Sequence, residues 1–183
     1  MIIAEHLYTT KSGTTLKVRT ADDNDAAALL ALKKSYLINC PTIPLYDYEY
    51  NNTIDQEAEL INNYNKSENS ILLVAEYDGN LIGNIDITGN KRKKLYHTAM
   101  LGMGIATNWQ GKGIGTCLMD GALTALNRTV VSILWLEVYA TNTAGLQLYE
   151  KSGFKVCGVI KNFFNEDGEE TIDKVTMVKY IKE

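Results

Sequence analysis

The chain has 183 residues, 45% apolar and 22% charged, with a net charge of −4. This length and balance predict one domain, residues 1–183, with enough apolar mass for a substantial core. They argue against a nucleic-acid partner, and no apolar run approaches membrane-spanning length.

The opening stretch MIIAEHLYTTKSG has no basic start, long apolar core or small-residue cleavage site. No signal peptide is expected, and the expected location is cytoplasmic. Cys40, Cys117 and Cys157 are odd in number and far apart, which fits reduced thiols. No Cys/His spacing resembles a metal site, so no metal is expected, and His6 and His97 are too few for histidine-rich chemistry.

Ser12-Gly13 marks a turn, and Thr14 to Arg19 form a β-rich flank. Thr20 is placed to cap a helix with Asp22 and Asp23 in its first turn, where the dipole favours carboxylates. AAALLALKKSYLI predicts an amphipathic helix ending near Asn39, with Pro41 and Pro44 stopping it. Thr53 to Gln56 reads as a capping box for a second helix, down to about Tyr64.

The pattern then changes. ILLVAEY (71–77), the turn DGN and LIGNIDIT (81–88) predict a hairpin, with Asp86 inside its second strand. After the loop GNKRKK comes a third strand, LYHTAMLGMGI (95–105). The glycines of WQGKGIG lead into a helix, IGTCLMDGALTALNR, and ILWLEVYA (133–140) is another strand. NTAGLQLYEKSGF is a short helix that Asn142 can cap and Gly153 can stop. KVCGVIKNFF, the turn NEDGEE and TIDKVTMVKYI form a terminal hairpin. This order predicts an α/β (α+β) domain with a mixed sheet.

Strand, glycine-rich turn and helix together suit a phosphate. Glycine admits positive φ and lets a ligand approach the backbone, while the helix N-terminus adds positive potential. The competing reading is a turn that needs glycine only for its geometry. A P-loop fails here, because position 106 is alanine and Lys112 is followed by Gly113. A dinucleotide fingerprint fails as well, because the glycines fall at 111, 113 and 115. The pattern Gln/Arg-x-x-Gly-x-Gly/Ala matches Gln110 to Gly115 at every position.

With LGMGIATN before it and LEVYATNTAGLQLYEKSGF after it, this stretch resembles the GNAT superfamily of acetyl-CoA-dependent N-acetyltransferases, over about residues 71 to 180. The resemblance implies a mostly antiparallel central sheet of about seven strands with four flanking helices. It implies acetyl-CoA as co-substrate, with the CoA pyrophosphate on Gln110, Gly111, Lys112, Gly113, Ile114, Gly115 and Thr116. It further implies a bulge in the strand before the loop, a gap beside it, and the pantetheine arm in that gap near Met103 to Ile105. Gly102 and Gly104 suit a strand that bends and admits a ligand. Asn142 is expected to contact the cofactor, cap its helix, or do both. Tyr149 falls where the family often has the acid that protonates the departing thiolate; its competing role is core packing. The acceptor is an amine, with a small cationic molecule favoured, and pairing of relatives through sheet edges or C-terminal strands makes a homodimer an open possibility.

Many relatives carry a glutamate where this chain has Met100, so the family's usual base is missing here, and an acceptor of lower pKa, such as an α-amino group, would need little base help. Removing a proton from an alkylamine at pH 7 costs about 4.6 kcal/mol. A water-relayed or weak-base route is expected, with Asp86, Glu137 and His97 as the named alternatives. The segment PTIPLYDYEY is expected to wall the acceptor pocket, offering Tyr46, Asp47, Tyr48, Glu49 and Tyr50 to a cation. Lys91 to Lys94 read as a solvated loop, an acidic-partner contact or a CoA-phosphate contact. Cys117, inside the helix pattern, reads as structural. The alternatives to an enzyme acting on a small amine are a non-catalytic acyl-CoA-binding module and an acetyltransferase for protein N-termini or lysines.

Overall fold

Two apolar layers sandwich one sheet in the computed structural model, which describes residues 4–38, 40–166 and 170–182. The elements in chain order are β1 (His6–Thr9), β2 (Thr15–Thr20), α1 (Ala26–Leu37), α2 (Ile54–Lys66), β3 (Ile71–Tyr77), β4 (Asn80–Gly89), β5 (Thr98–Ile105), α3 (Ile114–Leu126), β6 (Ile133–Tyr139), α4 (Thr143–Lys151), β7 (Lys155–Glu166) and β8 (Glu170–Tyr180). The sheet order is β1-β2-β3-β4-β5-β6-β8-β7, and only β5 and β6 run parallel. The mixed class and the four α-helices are as expected. The strand count is eight because His6–Thr9 pairs with β2 in a short hairpin. In the terminal hairpin, β8 takes the place beside β6 and leaves β7 at the edge. Asn39 and part of the turn NEDGEE lie outside the described residues.

Alternation along the strands sends side chains to two cores. Leu73, Ile85 and Ile87 meet Leu118, Met119 and Ala122 of α3 on one face. Leu72 and Val74 meet Leu29 and Leu32 of α1 and Ile61 of α2 on the other. Each fully buried Leu or Ile contributes about 1.5–3 kcal/mol, so the core fixes which face of the sheet each helix covers.

Thr20 does not cap the first helix, because it pairs with Leu73 as the last residue of β2. Asp22 does the capping: its carboxylate accepts from the Asn24 amide at 2.9 Å, and Asp25 accepts from the Asp22 amide at 2.8 Å. That box closes a 3-10 turn leading into α1. The Thr53–Gln56 box forms as read, with reciprocal bonds of 3.2 and 2.8 Å. No described helix is long and apolar enough to cross a membrane.

Candidate active site

The sheet opens in its middle. β5 and β6 are paired from Thr98↔Ile133 to Met100↔Trp135 and no further. β5 continues to Ile105 while holding β4 in unbroken register from Gly89↔Ala99 to Gly83↔Ile105. The edge of Leu101–Ile105 that faces β6 therefore has no strand partner. The expected bulge in β5 is absent; the register shift on this side lies between Ala75 and Glu76. Apart from the Ile105 carbonyl, which accepts from Gln110, backbone donors and acceptors along that edge have no strand partner among the described residues.

The open strand runs into the glycine turn. Gly111 and Gly113 have φ of 71° and 87°, which L side chains rarely adopt, and Gly113 is the N-cap of α3. The amides of Gly111, Lys112, Gly113, Ile114 and Gly115 donate to no carbonyl or side chain among the described residues, whereas those of Thr116 and Cys117 return to Gly113. A run of unpaired amides at a helix N-terminus is an anion-binding arrangement. Gln110 braces the turn by donating Nε2 to the Ile105 carbonyl at 3.1 Å, and Lys112 Nζ lies 5.0 Å from the Trp109 ring centre. Gly115 has a packing reason: a Cβ there would lie 2.9 Å from Leu148, 3.3 Å from Ile105 and 3.4 Å from the Met103 sulfur. Met103 and Ile105 thus point their side chains toward α3 and keep backbone for the gap.

From the α3 and α4 face, Tyr149 packs edge-on to Phe154 with ring centres 6.0 Å apart. Its hydroxyl has no hydrogen-bond partner among the described residues. Burial, and then the nearby Asp86 carboxylate, push this phenol up to about 12. It remains a proton donor at any physiological pH. Asn142 caps α4, accepting from the Gly145 amide at 2.9 Å, and Gly153 ends that helix with φ of 87°. Cys117 is buried, and burial raises its thiol pKa, as befits a structural residue.

On the opposite face, Asp86 of β4 faces Gly102 of β5. A Cβ on Gly102 would come 2.9 Å from either Asp86 carboxylate oxygen. Burial raises the Asp86 pKa, opposed by the charge of Lys33 and a hydrogen bond from Tyr64. A Cβ on Gly104 would collide with the ring of Tyr36. Both β5 glycines therefore make room for the protein's own side chains. Behind them lies a charged cluster in which Lys33 Nζ meets Glu57 at 2.6 Å and Tyr50 donates to Glu57 at 2.7 Å.

Glu137 is present but engaged, accepting from buried Lys174 at 2.7 Å. Lys174 also sits 3.7 Å from the centre of the Phe163 ring. Tyr46 and Tyr48 stack with ring centres 5.2 Å apart. Burial, and then the Glu166 carboxylate, which accepts from the Tyr139 hydroxyl at 2.7 Å, push the Tyr139 phenol up. Glu49 holds the Tyr46 amide and Tyr50 holds Glu57, so neither is free for a ligand. Asp47 and Tyr48 are exposed. His97 and Lys91–Lys94 precede β5, at the opposite end from the glycine turn. Eight strand residues span about 26 Å, which sets them that far from the glycine turn. Nothing in the sequence singles out Lys33, Tyr36, Glu57, Tyr64 or Lys174; each is ordinary in its own helix or strand and becomes notable only through a partner distant in the chain.

The sheet thus splits beside a glycine turn whose amides are unpaired among the described residues, with a protonated phenol on one face and a carboxylate on the other. The chain belongs to the acetyltransferase (GNAT) family, which residues 31–154 match. It is similar to the L-amino acid N-acetyltransferase AaaT of Escherichia coli, 28% identical over 98 residues, 53% of this chain and 60% of that protein. It is also similar to the [ribosomal protein bS18]-alanine N-acetyltransferase of Escherichia coli, 31% identical over 77 residues, 42% of this chain and 52% of the other. The chain thus spans only about half to three-fifths of these curated relatives. Among solved structures, a GNAT-family acetyltransferase from Streptococcus pneumoniae superposes with a TM-score of 0.87 at 26% identity, covering 90% of this chain and 99% of that one. The structure of yncA from Salmonella typhimurium, solved with its cofactor acetyl-CoA, gives 0.82 at 18% identity over 92% and 95%, a likeness of fold.

Proposed function

We propose that the chain is an N-acetyltransferase that moves an acetyl group from acetyl-CoA to a primary amine by direct attack in a ternary complex. The observation that carries this reading is the unpaired edge of β5 running without interruption into five unpaired amides. That continuity matches a molecule with a diphosphate at one end and an amide-bearing arm at the other.

In this reading the amides of Gly111 to Gly115 hold the diphosphate, with Lys112 adding charge and Gln110 bracing the turn. The free edge of Met103 to Ile105 hydrogen-bonds the pantetheine arm, Thr116 stands at the diphosphate end, and Asn142 contacts the cofactor while capping α4. Acetyl-CoA supplies the activated acetyl thioester. A β5 amide polarises the carbonyl, and Tyr149 protonates the departing sulfur. Lys33 and Lys174 are already paired with Glu57 and Glu137, which supports a cationic acceptor without a carboxylate of its own.

The test is thiol release from acetyl-CoA across an amine panel. The panel pairs amines with their parent amino acids, such as tyramine with tyrosine, and adds peptide N-termini and lysine. Turnover is expected, amines ahead of amino acids, with Tyr149→Phe lowering kcat about 100-fold. Exposed Met100 in the usual base position keeps a second reading, a non-catalytic acyl-CoA-binding module. Tight binding without transfer to any amine would establish that one instead.

A further inference from the structure

The geometry points to Asp86 as the base that takes the proton from the acceptor ammonium, acting from β4 across Gly102 in place of a carboxylate at position 100. This rests on the acetyl-transfer reading above.

Of the carboxylates that α2, β4 and β6 place on this face of the sheet, two are committed. Glu57 is 0% exposed and held by Lys33, Tyr50 and Asn52. Glu137 is held by Lys174. Asp86 has no ion pair among the described residues: Lys33, and Tyr64, whose hydroxyl also bonds Thr88 Oγ1 at 2.6 Å, favour its charged form against burial. Cβ atoms facing each other across paired strands are normally about 4.5–5.5 Å apart. Both Asp86 oxygens lie 2.9 Å from the Cβ position of Gly102, so the carboxylate leans over β5. Beyond Gly102 is the strand edge that β6 has left. Glycine at 102 therefore serves the carboxylate: any larger residue would push it back from the gap.

Tyr149 comes up from the other face of the sheet, and the Asp86 charge reaches its phenol. The two groups bracket the place where a thioester would lie on the free β5 edge. Asp86 takes one proton from R–NH₃⁺, leaving a neutral amine. The nitrogen lone pair forms the C–N bond, and the C–S bond breaks with its electron pair going to sulfur. Tyr149 gives its proton to that sulfur and recovers one from the acylated nitrogen. Asp86 then releases its proton to solvent, so amide, thiol and one proton are the net products.

The groups facing Asp86 are Lys33 and Tyr36 from α1, Tyr64 from α2 and Tyr149 from α4. All three phenols are shifted upward and stay protonated. Lys33 is ion-paired with Glu57, which its partners hold below the ordinary carboxylate range against the effect of burial. Asp86 is thus the group here that sets an acid limb in kcat/KM, above the ordinary aspartate value of about 3.9.

The test is the pH profile of thiol release for wild type, Asp86→Asn and Tyr64→Phe, with acetyl-CoA affinity measured alongside. Asp86→Asn should lose about 100-fold in kcat and lose the acid limb, with acetyl-CoA Kd changed less than threefold. Tyr64→Phe removes a bond that favours the ionised carboxylate, so its acid limb should move to higher pH. A loss below tenfold with the acid limb intact overturns the assignment. If Asp86→Asn fails to fold, an unmoved limb in Tyr64→Phe overturns it. A wild-type protein that releases no thiol with any amine overturns both readings, whereas wild-type turnover matched by Asp86→Asn overturns this one alone.

Discussion

The ring of Tyr36 fills the space that a side chain on Gly104 would need. Tyr36 reaches it from α1, and its hydroxyl donates to Asn84 Oδ1 at 3.1 Å on the neighbouring strand. Position 104 is glycine because of a packed neighbour, since its φ is not in the left-handed region. Gly104→Ala is expected to displace the tyrosine and leave buried Asn84 unpaired. Overpacking together with the lost bond should cost about 2–4 kcal/mol, readable as a lower urea midpoint.

Gly113 is a different kind of glycine. Its φ of 87° strains any L side chain, and a Cβ would touch Thr10 at 3.4 Å. Gly113→Ala should shift the turn and misdirect its amides, at a folding cost of about 1–2 kcal/mol. Calorimetry should show acetyl-CoA binding at least tenfold weaker. Near-native affinity would mean that these amides are not the diphosphate site.

Glu137→Gln separates the two strand carboxylates. Thiol release should stay within threefold of wild type, because Lys174 already occupies the carboxylate. Stability should fall, because Lys174 is then a buried cation with a weaker partner. Thermal melts beside rate measurements would show the two effects apart.

Acid should unfold the protein through the paired carboxylates. Asp25 beside Arg19, and Glu57 beside Lys33, have their pKa values lowered in the fold by these partners, against the opposing effect of burial. Their contribution is present above the unfolded carboxylate pKa, about 4, and is lost as pH falls through the lower folded values. Asp86 has the opposite sign: its raised pKa contributes stability in acid that is lost as pH rises, so Asp86→Asn should melt higher than wild type at pH 7. Melting curves from pH 7 to pH 3 check both.

Local chemistry was legible in the sequence. Positive-φ glycines at 111, 113 and 153, the Thr53–Gln56 box and the Asn142 cap act within a few residues, and they appear where read. The strands Ile71–Tyr77 and Ile133–Tyr139 are apolar runs bounded by turn residues and fall within a residue of expectation. Non-local choices were not legible. Whether β7 or β8 lies beside β6 depends on which strand buries Val175 and Met177. Gly102 and Gly104 looked like flexibility for a ligand, but they answer Asp86 and Tyr36, which lie 16 and 68 positions earlier. The cluster of Lys33, Tyr36, Glu57 and Tyr64 comes from α1 and α2, where the sequence shows only helical pattern and caps.

The most direct measurement of the central claim is a titration of the ¹⁵N-labelled protein with acetyl-CoA, following each backbone amide by NMR. The account predicts that the largest shifts fall on Gly111, Lys112, Gly113, Ile114 and Gly115, and then along Leu101 to Ile105. Shifts concentrated elsewhere, with both stretches unmoved, would contradict it.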